Sequence, residues 1–497
     1  MSDPVSRRTG PHGGEPAGEL NGKHTGKAVG LAVAAAVGGF LFGFDSSVIN
    51  GAVQAFTEQF DLGSALSGFA VAVALLGCAL GAWLGGRLAD RWGRTRVMFL
   101  GAVLFFLSSV LSGIAFGVWD LIAWRFMAGL GIGIASVIAP AYIAEIAPAR
   151  IRGRLGSLQQ LAIVIGIFAA LLSDELLARA TPGEGADASG ELWFGLEAWR
   201  WMFLVAVVPA TIYGVLALRI PESPRYLLST GRRDEARRVL ASVLPPDEDA
   251  DERIREIEHT IRTDEALASQ SSLRGPRFGL LPVVWVGILL SVFQQFVGIN
   301  VIFYYSNTLW QAVGFDEGDA FTTSTITSIT NVLVTFIAIA LIDKIGRRPL
   351  LLIGSAGMTV TLAVVAIAFM NSTGSGEDVS LPAPWGMIAV VAANLFVVFF
   401  GASWGPLVWV LLGEIFPNRI RAAALGLAAA AQWIANFLIT ISFPPMLNAF
   451  GASIPYLMYA AFALLSFFFV LTKVPETKGV QLEDMEGLQV QRGRPRS

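Results

Sequence analysis

Residues 294–308 read Gln294-Gln295-Phe296-Val297-Gly298-Ile299-Asn300-Val301-Ile302-Phe303-Tyr304-Tyr305-Ser306-Asn307-Thr308. They continue an apolar run from Leu280 to Phe293 that is long enough to need a membrane around it. Gln294, Gln295, Asn300 and two tyrosines therefore arrive inside hydrocarbon, where an unpartnered polar group is costly. An amide offers donors and an acceptor together, and a neutral polyol hydroxyl offers both in return. The stretch has the chemistry of a sugar site built into a membrane-spanning helix.

The chain around it has the matching composition. Of 497 residues, 54% are apolar and only 15% charged, with a mean hydropathy of +0.62. A soluble chain carries nearer a quarter of charged residues. Apolar segments fall at 28–56, 65–88, 97–117, 120–143, 155–177 and 200–219, then 281–312, 321–342, 349–370, 384–412, 421–443 and 454–472. Each can cross a bilayer core. A polar stretch, 221–279, separates the two groups, and Leu227, Leu228, Ala236, Val239, Leu240 and Val243 predict short amphipathic helices within it. Residues 1–27 are polar and Gly-rich without the apolar core of a signal peptide, and are expected to be a disordered tail. The expected organisation is an all-α membrane protein with an N-terminal six-helix half (28–220), a helical linker (221–279), a C-terminal six-helix half (280–473) and a tail (474–497).

Loop charges set the topology. Arg87, Arg91, Arg94 and Arg96 follow span 2, and Arg150, Arg152 and Arg154 follow span 4. Lys344, Arg347 and Arg348 follow span 8, and Arg419 and Arg421 follow span 10. The alternate loops carry acids instead, so both termini and the linker are expected in the cytoplasm. Dispersed basic residues give no nucleic-acid footprint. The lone Cys78 forms no intramolecular disulfide, and His12, His24 and His259 lie outside the apolar runs. No metal and no cofactor is expected.

The two groups of spans repeat each other. Asp90-Arg91-Trp92-Gly93-Arg94 answers Asp343-Lys344-Ile345-Gly346-Arg347-Arg348. Glu145 with Arg152 answers Glu414 with Arg421, and Pro221-Glu222-Ser223-Pro224-Arg225 answers Pro475-Glu476-Thr477-Lys478-Gly479. Tandem halves of six spans imply a pseudo-two-fold axis along the membrane normal and a substrate held between them near the midplane. The paired charges Asp90, Arg91, Arg94, Glu145, Arg152, Asp343, Arg347, Arg348, Glu414 and Arg421 are expected to form a cytoplasmic network. It would hold an outward-facing state and break on inward opening. Gly38, Gly39, Gly43, Gly129, Gly131 and Gly133 are expected to permit close helix packing.

These motifs, with Gln294-Gln295-x-x-Gly298-x-Asn300, resemble the sugar porter family of the major facilitator superfamily from about Gly30 to Gly479, and bacterial glucose/xylose–proton symporters most of all. Thr95 departs from a commonly basic position, and Gly401-Ala402-Ser403-Trp404-Gly405-Pro406 lacks the acid of animal glucose facilitators. The resemblance implies a sugar site of Gln160, Gln294, Gln295, Asn300, Asn331, Trp404, Gln432 and Asn436. Ile167 and Phe303 match the residues of glucose carriers, which implies D-glucose. The residues agree in depth: Gln294 lies about fourteen residues into its span and Gln432 about twelve, both near mid-bilayer at ~1.5 Å per residue. Trp404 would offer an apolar face and an indole donor to a pyranose.

Asp45 in span 1 is an acid inside an apolar helix, and Arg125 opens span 4. Span 1 and span 4 run in opposite directions, which places both at similar depth, so they can pair. The resemblance implies that Asp45 and Arg125 couple protons to sugar. The expected function is proton-coupled symport of a monosaccharide by alternating access, in a cell membrane, by a monomer surrounded by lipid, with no catalytic role. A uniporter on the same fold and a membrane sugar sensor are the rivals. A sensor needs a signalling segment, and eighteen residues follow Gly479. A glycosyltransferase would need larger external loops with paired acids than 178–199 provides.

Overall fold

The structure is a computed structural model. It describes residues 17–477 apart from 149–150, 184, 246–247, 269–272, 276–278, 374–379 and 418–419; side chains at 17–24, 152–154, 264–268, 339, 342–343 and 421–422 are also outside the description. Among the described residues there are twelve helical segments long and apolar enough to cross a membrane, and no strand. The first half comprises α1 (Ala17–Gln59), α2 (Ser64–Trp92), α3 (Arg94–Gly113), α4 (Val118–Ile146) and α5 (Arg152–Arg179). Its sixth span is the pair α6 (Ala198–Val205) and α7 (Val207–Arg219). The linker holds α8 (Pro224–Ser229), α9 (Arg233–Val243) and α10 (Ala250–Ala268); Leu227, Ala236, Leu240 and Val243 of the predicted apolar face are buried, and Leu240 packs with Leu244 and Ile254.

The second half begins with a broken span, α11 (Pro282–Phe296) and α12 (Ile299–Ala312). It continues through α13 (Glu317–Ile345) and α14 (Arg347–Met370) to a second broken span, α15 (Trp385–Gly401) and α16 (Trp404–Ile415). It closes with α17 (Arg421–Phe450) and α18 (Ser453–Lys473). All twelve spans fall where hydropathy predicts them, with ends shifted by a few residues. The first helix starts at Ala17, inside the segment expected as a disordered tail, and residues 478–497 of the C-terminal tail lie outside the described residues.

The expected role of the span 4 glycines is visible between α2 and α4. A Cβ on Gly129 would stand 2.0 Å from the Ala74 carbonyl oxygen, and one on Gly133 2.2 Å from that of Cys78. Only hydrogen at these positions allows the two backbones to touch.

The repeat holds at atomic level. Gly93 and Gly346 precede α3 and α14 with φ of 96° and 102°, a region that favours glycine. The Glu222 carboxylate accepts the N–H groups of Arg94 (2.9 Å) and Thr95 (3.3 Å). Glu476 does the same for Arg347 (3.1 Å) and Arg348 (3.0 Å). A carboxylate on the first N–H groups of a helix satisfies otherwise orphaned donors and meets the positive end of the dipole.

Among the described residues, the hydrogen bonds between the halves cluster at the end away from the linker. Asn50 of α1 donates to Ser306 Oγ at 2.7 Å and accepts the Asn307 N–H at 3.0 Å. Glu175 of α5 accepts from Thr322 (2.9 Å) and Thr325 (2.7 Å), and Arg179 donates to Thr322 at 2.8 Å. The Ala188 N–H reaches Glu317 at 2.9 Å. On the same side, a Cβ on Gly68 of α2 would lie 2.8 Å from the Ile441 carbonyl oxygen of α17.

Candidate functional site

The amide cluster sits on the break in span 7. Gly298 has φ of 83°, and a Cβ there would stand 2.4 Å from the Tyr459 ring. The chain turns in the left-handed region at a position where no larger residue fits. Asn300 Nδ2 donates back across the break to Gln295 Oε1, and Gln295 Nε2 donates to Gln294 Oε1 at 3.4 Å. Gln294 Nε2 then donates to the carbonyls of Trp404 (3.0 Å) and Gly405 (3.1 Å), just past the break in span 10. One chain of amides joins both interrupted helices, where irregular backbone can line a cavity.

Trp404 differs from expectation. It is fully buried, and its indole N–H is spent on Ser355 Oγ (2.9 Å) and the Leu351 carbonyl (3.2 Å) of α14. Its donor is not directed to a sugar; the residue packs the span 10 break against α14.

On α17, Asn436 donates to the Tyr304 hydroxyl at 3.4 Å and accepts from Thr440 at 3.1 Å. Gln432, one turn earlier, has a buried Oε1 without a partner. Gln160 is half-buried on α5, beside Gln159, whose Oε1 is also unpartnered. Ile167 and Phe303 are buried. Asn331 is buried on α13, with Oδ1 3.5 Å from the Cβ position of Gly401. Amides with spare capacity thus lie on α5 and α17, while those of span 7 are already linked to one another.

Asp45 and Arg125 meet as expected. Arg125 Nη1 donates to Asp45 Oδ1 at 2.5 Å, with side-chain exposures of only 3% and 7%. The guanidinium lies 5.7 Å from the centre of the Phe203 ring, and its Nε has no partner. A small pocket beside the pair has a water-accessible volume of about 20 Å³, enough for a single water. Cys78 of α2 and Tyr304 of α12 line it with Asp45 and Arg125. Tyr304 therefore borders the ion pair of one half and hydrogen-bonds the amide Asn436 of the other. Sequence reasoning quoted Tyr304 but gave it no role, because a tyrosine in an apolar helix reads as packing.

At the linker end Arg94 forks onto Glu145, Nε to Oε2 at 3.2 Å and Nη2 to Oε1 at 3.1 Å, and Nη1 reaches Asp90 at 3.2 Å. Ser223 also donates to Glu145. In the second half Arg347 donates to Glu414 at 3.0 Å and Thr477 donates to Glu414 at 2.5 Å. Arg348 instead donates to the Leu471 carbonyl at 2.7 Å. Arg91 is exposed, and its carbonyl accepts from the Tyr226 hydroxyl at 3.3 Å. The side chains of Arg152, Asp343 and Arg421 lie outside the description. Each of these contacts stays within one half and its following segment. Glu222 and Glu476, which anchor both clusters, were missed as individual residues although their motifs were recognised as a repeat.

Comparison with known proteins gives a consistent picture. The family model described as "Sugar (and other) transporter" matches residues 31–488. The glucose transport protein of Synechocystis sp. is 53% identical over 441 residues, covering 89% of this chain and 93% of that one. The D-xylose-proton symporter of Escherichia coli K12 is 35% identical over 476 residues, covering 89% and 92%. The arabinose-proton symporter of Bacillus subtilis is 34% identical over 444 residues, covering 89% and 91%. Among solved structures, the inward open conformation of the xylose transporter XylE from E. coli superposes with a TM-score of 0.78 at 34% identity, covering 93% of this chain and 99% of that one. XylE bound to 6-bromo-6-deoxy-D-glucose superposes at 0.74 and 33% identity, covering 93% and 99%.

Proposed function

The chain belongs to the sugar (and other) transporter family, and from that premise we propose that it is a proton-coupled symporter importing a monosaccharide, D-glucose first, by alternating access. It moves the sugar unchanged and has no catalytic role. The 53% identity with a glucose transport protein supports glucose, as do Ile167 and Phe303. Gln160, Gln294, Gln295, Asn300, Asn331, Gln432 and Asn436 form the sugar-facing set, and Trp404 braces it.

The basic loops at the linker end support a cell-membrane orientation with that end, and both termini, in the cytoplasm. The end joined by Asn50, Glu175 and Arg179 then faces outside. A site contained within one chain is compatible with function as a monomer surrounded by lipid.

The observation that carries coupling is the pocket shared by Asp45, Arg125 and Tyr304. Protonation of Asp45 removes the charge that holds Arg125 and frees α1 from α4. Tyr304 sits on α12 beside that event and contacts Asn436 in the sugar-facing set, so occupation of one site is felt at the other. One proton moving with a neutral sugar carries a charge worth ~2.3 kcal/mol per 100 mV, roughly fifty-fold accumulation.

The test is uptake of labelled D-glucose by proteoliposomes with an imposed inward proton gradient, with competing sugars in parallel. Accumulation above the outside concentration, reduced by D-xylose only at higher concentration, is expected. Uptake that merely equilibrates would make the protein a uniporter, and no uptake would remove glucose as substrate.

A further inference from the structure

The mechanism above uses one membrane-buried carboxyl and leaves another aside. Asp174 lies on α5 with no exposed surface. Its Oδ2 accepts the Gly51 N–H of α1 at 3.2 Å, and its Oδ1 is buried with no partner. The two helices are tightly opposed there, since a Cβ on Gly51 would stand 2.7 Å from the Asp174 carboxyl.

Described charged groups stand on α5 and on the elements packed against it, and none is bonded to Asp174. On α5 itself, Glu175 and Arg179 pair with each other and with α13. On α1, Asp45 is held by Arg125 of α4, and Glu58 takes a bond from Gln54. Asp120 of α4 caps its own helix, and Glu145 holds Arg94. Arg200 of α6 binds Glu197 and the carbonyls of Gly113 and Ala115. Glu317 of α13 takes the Ala188 N–H, and Asp319 stands in the first turn of that helix. Among the described residues no cation pairs with Asp174. A carboxyl buried without a counter-charge and with one oxygen unbonded is tolerated when it carries a proton.

Its position gives that proton a consequence. Gly51 follows Asn50, which bonds Ser306 and Asn307 of the second half. Asp174 precedes Glu175, which bonds Thr322 and Thr325 of the second half. The Asp174–Gly51 bond thus ties together the two N-half helices that make the outer seal. We propose that Asp174 is a second proton-binding residue, separate from Asp45, and that its protonation latches the outer gate shut. This rests on the alternating-access reading above. When the halves part on the outside, water reaches the α1–α5 seam and the ionised carboxylate is tolerated; the closed seam admits only the neutral acid. Closing therefore takes up a proton from outside, and low outside pH favours closure by linkage.

The test reads the gate without sugar or gradient. Ser324 is buried in the outer seal, where it bonds Asn307 at 2.6 Å. The Ser324→Cys substitution, with Cys78→Ser to remove the native thiol and Asp45→Asn to silence the first site, reports opening to an impermeant maleimide. Rates are corrected for thiolate fraction against an exposed reference thiol. Labelling is expected to rise several-fold from about pH 6 to about pH 8, and to become independent of pH when Asp174→Asn is added. No rise with Asp174 present, or an unchanged rise after Asp174→Asn, overturns the proposal. If Asp174→Asn does not fold, infrared spectroscopy of the Asp45→Asn chain labelled with carbon-13 aspartate decides. An aspartate-derived protonated-carboxyl band at neutral pH supports the latch, and its absence overturns it. A chain that passes these tests but does not transport D-glucose would keep the latch and lose the substrate.

Discussion

An amide in a membrane helix can serve the backbone or a ligand, and its partners decide which. Gln294 spends its donors on the Trp404 and Gly405 carbonyls, so it holds the two broken spans together within the proposed sugar site. Gln295 lies between Gln294 and Asn300, and its bonds can be exchanged for hydroxyls. Gln295→Ala is expected to raise the KM for D-glucose about tenfold, the effect of ~1–2 kcal/mol for one lost hydrogen bond, with kcat changed less. Tyr304→Phe keeps the ring and removes the hydroxyl that meets Asn436. It is expected to reduce gradient-driven accumulation while sugar counterflow survives, measured side by side in the same vesicles. At this scale the charged residues were legible in the sequence: an acid and a base inside apolar runs demand a partner, and Asp45 and Arg125 are each other's. Tyr304, Glu222 and Asp174 were not singled out. The first two depend on which helices come together, while an acid within span 5 was a signal available by the same reasoning that selected Asp45. Trp404 shows the converse, since the fate of its N–H is set by Ser355 on another helix.

Helices supply the depth and the interruptions that the residues use. Span lengths follow from hydropathy alone, and all twelve were legible. The breaks at Gly298 and at Ala402–Ser403 were not, because a glycine in an apolar run is silent until the opposing side chain is known. For Gly298 that side chain is Tyr459. Gly298→Ala combines a left-handed backbone with a collision against that ring, at a cost of ~1 kcal/mol for the conformation before the clash is counted. The expected result is a lower Tm in detergent and weaker D-glucose binding, read by thermal unfolding with and without sugar. Glu222→Gln and Glu476→Gln each weaken the hold on the first N–H groups of α3 or α14. Each should lower Tm by a few degrees, and similar losses from the two would reflect the equivalence of the halves.

The whole molecule is two copies of one six-span design whose described polar contacts with each other lie at one end. The duplication was legible because three motifs recur in order, and the structure gives the recurrence its reason in carboxylates that cap equivalent helices. Which ends meet was not legible, since both sets of loops satisfy topology equally well. Among the described residues the seal away from the linker rests on few polar contacts, so, with that end outside as proposed, Asn50→Ala with Glu175→Gln is expected to favour outward opening. Faster labelling of the Ser324→Cys thiol from outside would register it, and unchanged labelling would mean that apolar packing such as that of Gly68 on α17 holds the seal. The central claim is that sugar movement draws a proton through Asp45. It is tested most directly by the pH of a weakly buffered suspension of de-energised cells or vesicles when D-glucose is added. The unsubstituted protein should make the medium more alkaline as protons enter with sugar, and Asp45→Asn should abolish that change while glucose counterflow continues. Equal alkalinisation in both proteins, or none in either despite glucose entry, would contradict it.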